Sequence, residues 1–342
     1  MDHVSVPDRL YPEDAIEPLH GFLLDGVLQL LSLPGTHRLM PVEITNADRV
    51  IFPDDGITKG DVVAYYALVA DRMLPFITGR ALTVERFPRG IGAKGFMQKN
   101  APNHYPENII GRHEVPKEEG GTTVYPVVDS ADGIAYFANL GVITFHVPPA
   151  LVDDELHPDW AVWDLDPPIG RVDLVRESAS LLRSVLEAHE IPTVVLASGS
   201  KGYHLRTRFE PSLTGDEVAG IVRGTAALAA AAHPDMMTLA FRKTRRGDRV
   251  FIDWLRNAAY STSVAPWSLR PRPGAPAAIP LSWEEVGSVE PDGIGLRSIR
   301  ERLASDPWAE TAPVDLTPAV ETVEQSLSDA GIVLEPFDRF RS

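Results

Sequence analysis

The chain has 342 residues, 44% of them hydrophobic, which suffices for a full core; it carries 26 glycines and 30 prolines and no low-complexity tract, a balance that favours many ordered loops over a helical bundle or disorder. It contains no cysteine, which excludes a disulfide scaffold, zinc fingers, iron–sulfur ligation and thiol catalysis, and fits a reducing cytoplasm. Its net charge of −16 is opposite to that of a generic polyanion binder, so contact with nucleic acid must run through local basic patches or metal ions.

The N-terminus shows no basic n-region before an apolar run, so no secretory signal is expected. Residues 1–40 read as a helical appendage. Leu19, Leu23, Leu24, Leu28 and Leu31 form an apolar stripe closed by Pro34 and Gly35. The stretch is too short and too polar for a membrane span. The stripe suits a helix docked on the main body, or one that binds a partner.

From Val42 strands and helices mix. VEIT (42–45) reads as a strand. Thr58 caps a helix running to about Met73, with Val62, Tyr66, Val69 and Met73 on one face. ALTVERF (81–87) is a strand, residues 88–122 are loop-rich, TTVYPVV (122–128) is a strand and DGIAYFANL (132–140) a short helix. VITFHV (142–147) and WAVWDLD (160–166) are strands, followed by an amphipathic helix from Val172 to Glu190. TVVLA (193–197) and YHLRTRF (203–209) pair across a tight SGSKG turn. A helix from Asp216 to Ala232, a strand RVFIDW (249–254), a proline-rich stretch from Pro271 to Pro280 and short helices near 283–287, 295–304 and 316–330 complete the chain. The mixture lacks strict βαβ alternation and predicts α+β or mixed α/β architecture.

Four segments could carry chemistry. Asp164 and Asp166 end an apolar strand two residues apart, hence on one face, and Pro167–Pro168 leave that end open. Two carboxylates there call for a divalent cation, unless the strand end is simply solvated. The turn Ser198-Gly199-Ser200-Lys201 offers glycines, hydroxyls and a cation, as a phosphate cradle would, although an ordinary hairpin turn uses the same residues. Residues 239–256 hold six cations against two acids, and VFIDW sets Asp253 inside an apolar strand. A basic run is usually a solvated face, but a buried acid beside it needs a partner. The segment from Ser261 to Arg270 says little alone, and a core histidine is the plain reading of His146. Together, three strand acids, a phosphate cradle and several arginines are the parts of metal-assisted nucleotidyl transfer.

The chain resembles the polymerase domain of bacterial ligase D, in the archaeo-eukaryotic primase superfamily. The matching strings run in order: Ile44-Thr45-Asn46 with Arg49 and Lys59, Arg86-Phe87-Pro88, Phe96-Met97-Gln98-Lys99, His146-Val147-Pro148, WDLDPP, SGSKGYHL, VFIDW and VAPWSLR. They cover roughly residues 43–290. With no ligase nucleotidyl-lysine motif, the chain looks most like a stand-alone actinobacterial primase-polymerase C.

The resemblance implies a fold and roles. The fold is mixed α/β: a primase-type core with RRM-like strands and a second, largely antiparallel sheet in one compact domain. Residues 41–290 would be catalytic, with a helical segment at 291–342 packed on them. Asp164, Asp166 and Asp253 would hold two Mn2+ or Mg2+ ions. His146, Ser198, Gly199, Ser200, Lys201, Arg246 and Arg270 would bind the incoming NTP or dNTP, ribonucleotides preferred. Asn46, Arg49 and Lys59 would grip the 5′-phosphate of a gap, with the helix N-terminus at Lys59 also favouring the anion. Phe96 would stack on template bases. The expected partners are gapped or broken DNA and a DNA ligase with other repair proteins; the expected location is cytoplasmic, at the nucleoid. Glu85, Met97 and Arg256 depart from the family pattern. The nearby alternative is end-joining synthesis at double-strand breaks. A haloacid-dehalogenase-type phosphohydrolase also begins from DxD, but wants Thr or Val where Pro168 stands. A non-enzymatic end-binding module would not need all three acids.

Overall fold

The computed structural model describes residues 43–117, 120–258 and 260–335. They fall in one compact unit spanning Val42–Ser342. The expected helical appendage at 1–40 lies outside the described residues.

Chain order begins with a small hairpin, β1 (Val50–Phe52) and β2 (Ile57–Thr58), and then α1 (Lys59–Ile77). The expected strand at 42–45 is not formed: residues 45–48 make a turn, and Val42 lies outside the described residues. Thr58 caps α1 through a reciprocal box. Its hydroxyl accepts from the Asp61 amide, and the Asp61 carboxylate accepts from the Thr58 amide. The helix passes Met73 and continues through Pro75 to Ile77.

Next come β3 (Thr83–Arg86), β4 (Phe96–Gln98), the pair β5 (Gly111–Pro116) and β6 (Thr122–Val127), α2 (Ala131–Asn139) and β7 (Val142–Val147). The stretch expected to be loop therefore contains β4 and β5. The second half runs β8 (Trp160–Asp166), α3 (Val172–Ala188), β9 (Val194–Ala197), β10 (Tyr203–Arg208), α4 (Gly215–Ala232), β11 (Met237–Thr238), β12 (Val250–Asp253), β13 (Ser263–Val264), β14 (Ile279–Leu281), α5 (Ile299–Arg302) and α6 (Thr317–Asp329).

Two main sheets result. One has six strands in the order β11-β12-β8-β10-β9-β14, and the other four in the order β13-β7-β3-β4. All pairs are antiparallel except β11 with β12. The mixed α/β expectation with a largely antiparallel second sheet holds.

Side-chain alternation along β8 decides what the larger sheet can do. Trp163 and Leu165 are fully buried. The Trp163 indole donates to Thr225 Oγ1 on α4 at 3.0 Å, so the odd-numbered residues face the helices. Asp164 and Asp166 point the other way. α6 packs on α4, where Gly224 makes room: a Cβ there would stand 2.5 Å from Val323 Cγ1. No helix among the described residues is long and apolar enough to cross a membrane.

Candidate active site

Strand register assembles the acids. Asp253 on β12 lies directly opposite Asp164 on β8, and His204 on β10 lies opposite Asp164 from the other side. Asp166 shares their face. All four line a cleft of about 340 Å³.

Each carboxylate has a cation. Lys201 Nζ stands 2.6 Å from Asp166 Oδ1, and Arg246 Nη1 stands 2.7 Å from Asp166 Oδ2. Arg256 spans the other two, with Nε 3.1 Å from Asp164 Oδ2 and Nη2 3.2 Å from Asp253 Oδ2. His204 Nε2 is 3.4 Å from Asp164 Oδ1. Burial would raise the Asp164 pKa, but His204 and Arg256 outweigh it and hold the carboxyl well below its usual range. Asp253 goes the other way. Burial and the neighbouring Asp164 charge raise it, against the pull of Arg256.

The SGSKG turn is built by close approach rather than by open amides. A Cβ on Gly202 would stand 1.8 Å from the Leu165 carbonyl oxygen, and one on Gly199 would meet Arg270 Cγ at 2.7 Å and Ala277 backbone at 2.8 Å. Gly199 also has φ +66°. Its amide donates to Pro291 O at 2.8 Å, and the Ser200 amide to Ser198 Oγ at 3.3 Å. The Gly199 and Ser200 amides of the expected cradle are therefore already bonded within the chain. What reaches the cleft is Ser198, Ser200 and Lys201.

The segment that said little in sequence is a buried strap. Tyr65 OH donates to Trp267 O at 2.8 Å, Thr144 Oγ1 to Leu269 O at 2.9 Å, and the Phe145 amide to Ser268 Oγ at 2.8 Å. The strap carries Arg270 to the cleft beside His146. Burial, reinforced by Arg270, Arg256 and His204, pulls the His146 pKa down to about 3, so its ring is neutral near pH 7. Glu85 is half-buried next to Arg270 and bonds Thr144; burial pushes its pKa up. Arg246 spends its donors locally: besides Asp166 it holds Ala240 O at 3.1 Å and Phe241 O at 3.0 Å.

Asn46, Arg49, Lys59 and Phe96 are not in this cleft. Arg49 is exposed and donates to Pro88 O at 2.7 Å. Lys59 is only 6% exposed. Its Nζ bonds the Thr45 carbonyl and, at 2.9 Å, Thr45 Oγ1. Burial and the Arg49 charge lower its pKa, which puts the two cations side by side. Asn46 sits at φ +52° in the turn below them. The Lys59 and Gly60 amides donate to Arg49 O and Ala47 O, so these two amides are occupied and the helix dipole remains to favour an anion. Phe96 and Met97 on edge strand β4 are about half exposed, with the Arg86 guanidinium 5.5 Å from the Phe96 ring centre.

Two cleft residues had no role assigned from sequence. Arg256 registered only as a departure, and His204 only as part of a string. The signal for both is cross-strand register with Asp164. The donor set fits hard divalent ions, since two carboxylate oxygens already converge on one cationic group, Arg256. Among the described residues no three acidic or imidazole groups form a ready-made ligand cluster, so a bound ion requires side-chain rotation.

Residues 58–308 match the family model described as the LigD primase-polymerase domain. The chain is 31% identical over 309 residues to the multifunctional non-homologous end joining protein LigD of Mycolicibacterium smegmatis, covering 88% of this chain and 40% of that protein. It is 34% identical over 274 residues to the LigD of Mycobacterium tuberculosis H37Rv, covering 78% of this chain and 36% of that protein. The chain thus spans about two fifths of these relatives. The solved polymerase domain from Mycobacterium tuberculosis ligase D in complex with DNA superposes with a TM-score of 0.72 at 30% identity, covering 82% of this chain and 98% of that one.

Proposed function

The chain belongs to the LigD primase-polymerase domain family, and from that premise we propose that it adds nucleotides to a primer 3′-hydroxyl opposite a template, filling short gaps that carry a downstream 5′-phosphate. Membership removes the phosphohydrolase alternative. The observation that carries the reading is the convergence of Asp164, Asp166 and Asp253 on one sheet face beside Lys201.

Asp164, Asp166 and Asp253 would hold two Mn2+ or Mg2+ ions, which supply charge neutralisation at the phosphoryl oxygens and acidify the attacking hydroxyl. Lys201, Ser198 and Ser200 receive the triphosphate, with Lys201 acting as a point charge. Gly199 contributes the space that lets Arg270 lie against the turn. His146, neutral, offers one N–H and one lone pair to the nucleotide. Arg246 orders Asp166 and the 240–246 loop. Arg270 adds positive charge at the cleft wall. Asn46 shapes the turn that sets Arg49 and Lys59 together for the 5′-phosphate. Phe96 offers a stacking face to a template base. Ribonucleotides are the preferred substrates, and a DNA ligase is the partner that seals the filled gap.

A second reading is synthesis at broken ends, favoured by the end-joining role named in the relatives. Primer extension tests both, with rNTPs and dNTPs and Mn2+, on a gapped duplex with or without the 5′-phosphate and on two ends with complementary 3′ overhangs. Extension at the phosphorylated gap above the other substrates is the expected result. Extension only at paired ends moves the function to end joining. No extension on any substrate overturns both.

A further inference from the structure

The cleft holds three carboxylates and four cationic side chains, Lys201, Arg246, Arg256 and Arg270, and their attachments differ. Arg246 is 14% exposed and tied to two carbonyl oxygens besides Asp166. Arg256 is 41% exposed, and among the described residues its guanidinium pairs with Asp164 and Asp253 alone. Its backbone, by contrast, is fixed. It sits in a 3-10 turn, Leu255–Asn257, whose Asn257 side chain accepts from the Val162 amide and donates to the Val162 carbonyl, both at 2.8 Å. A fixed backbone beside β8 and a part-exposed head group in the cleft suit a side chain that changes partners.

The two oxygens it holds are Asp164 Oδ2 and Asp253 Oδ2, one from each member of the directly opposed pair. A guanidinium and a divalent ion want the same lone pairs. An ion arriving alone would have to expel the guanidinium from both carboxylates, leaving that cation without a partner. A triphosphate supplies one: its oxygens accept from guanidinium in bidentate fashion.

We propose that Arg256 is a positioning residue that competes with the divalent ion for Asp164 and Asp253 and transfers to the triphosphate when nucleotide enters, so that metal loading is coupled to nucleotide binding. This rests on the nucleotidyl-transfer reading above. Thermodynamic linkage makes the coupling reciprocal, so Mn2+ tightens nucleotide by the same factor that nucleotide tightens Mn2+.

The test is Mn2+ titration of the full chain, followed by the electron paramagnetic resonance signal of free Mn2+, with and without a saturating α,β-methylene triphosphate analogue. The wild type binds Mn2+ at least about tenfold tighter with the analogue than without it, a coupling of about 1.4 kcal/mol. Arg256→Gln binds Mn2+ about tenfold tighter than wild type in the absence of analogue, and loses most of the coupling. Arg256→Lys keeps the charge but not the fork that spans two carboxylates, so it falls between the two and serves if the Gln variant does not fold. Equal Mn2+ affinity of wild type and both variants without analogue would overturn the inference while leaving the polymerase reading intact. A wild-type chain that bound Mn2+ under neither condition would overturn both.

Discussion

Lys201 Nζ lies 2.6 Å from Asp166 Oδ1 and 3.2 Å from the Pro167 carbonyl, so the turn between β9 and β10 is tied by one side chain to the end of β8. The same ammonium lines the cleft, where it can meet a phosphate. Lys201→Ala is expected to weaken nucleotide binding by about tenfold to a hundredfold, from 1.5–3 kcal/mol per charged hydrogen bond. Gapped-duplex affinity should change less than threefold. Separate titrations with nucleotide and with DNA check this, and loss of DNA affinity alone would assign the turn to the DNA strand.

Asp164→Asn and Asp166→Asn should each reduce primer extension by at least about a hundredfold, because a neutral amide is a poor ligand for a hard cation. The amide keeps the size of the carboxyl, so circular dichroism and the melting temperature should report an intact fold. Asp253→Asn carries the same expectation with one difference. Burial and Asp164 already disfavour the Asp253 charge, so neutralising it should destabilise the fold less than neutralising Asp164. Near-normal extension by either of the first two variants, with Mn2+ present, would remove the polymerase reading.

Much of this was readable from residue order and some was not. The Thr58 cap, the alternation that puts Asp164 and Asp166 on one face, and the hairpin around SGSKG depend on neighbours in sequence, and they appeared where expected. β14 hid in a proline-rich stretch because Pro280 looks incompatible with a sheet. It is tolerated at the sheet edge, where β14 pairs only with β9. β4 hid because Phe96 and Met97 are both half exposed and show no alternation. The place of Arg256 was illegible for a different reason. It depends on Asp253 and Asp164 facing each other across two strands 89 residues apart in sequence, a register that no local pattern encodes. The burial of Lys59 and its bonds to Thr45 were illegible too, because burial of a lysine stem cannot be read from a charge pattern.

Gly202 bears the tightest packing in the cleft, with no space for a Cβ against the Leu165 carbonyl. Gly202→Ala should force the turn away from β8 and lower the melting temperature by several degrees, consistent with about 1–3 kcal/mol for overpacking. Gly247→Ala is the control. Its φ of +56° carries strain, but nothing lies within 4 Å of a Cβ there, so its cost should be smaller. Equal melting shifts for the two would show that backbone conformation, not the Leu165 contact, sets the requirement.

His146 gives stability a pH dependence whose sign follows from its neutral ring. Its folded pKa is about 3 against the ordinary histidine value of 6.5, so between these values the unfolded chain takes up a proton that the folded chain does not. Stability therefore rises with pH across that window and loses this contribution to the slope above it. The folded chain should denature at lower urea concentration at pH 4.5 than at pH 7, and His146→Asn should flatten that difference. Urea midpoints at both values decide the matter. An unchanged difference in the variant would mean that the cleft carboxylates, not His146, carry the dependence.

Arg49 and Lys59 should confer preference for a phosphorylated downstream end. Arg49 is the exposed member and Lys59 the buried one. Lys59 uses Thr45 for two of its three donors, which leaves one for a phosphate oxygen. Burial first, and then the Arg49 charge, depress the Lys59 pKa, and a phosphate dianion beside the pair offsets the repulsion. The chain as a whole carries −16, so the pocket acts against a repelling background and its effect must be salt-sensitive. Arg49→Gln should bind phosphorylated and unphosphorylated gaps with nearly equal affinity and flatten the log–log salt slope by about one unit. Lys59→Met should do the same at some cost in melting temperature, since its Thr45 bonds also hold the 45–48 turn. Titrations of both gap types at several salt concentrations measure these slopes. Equal wild-type affinity for the two gaps would refute the phosphate pocket and leave unspecialised primer extension as the function.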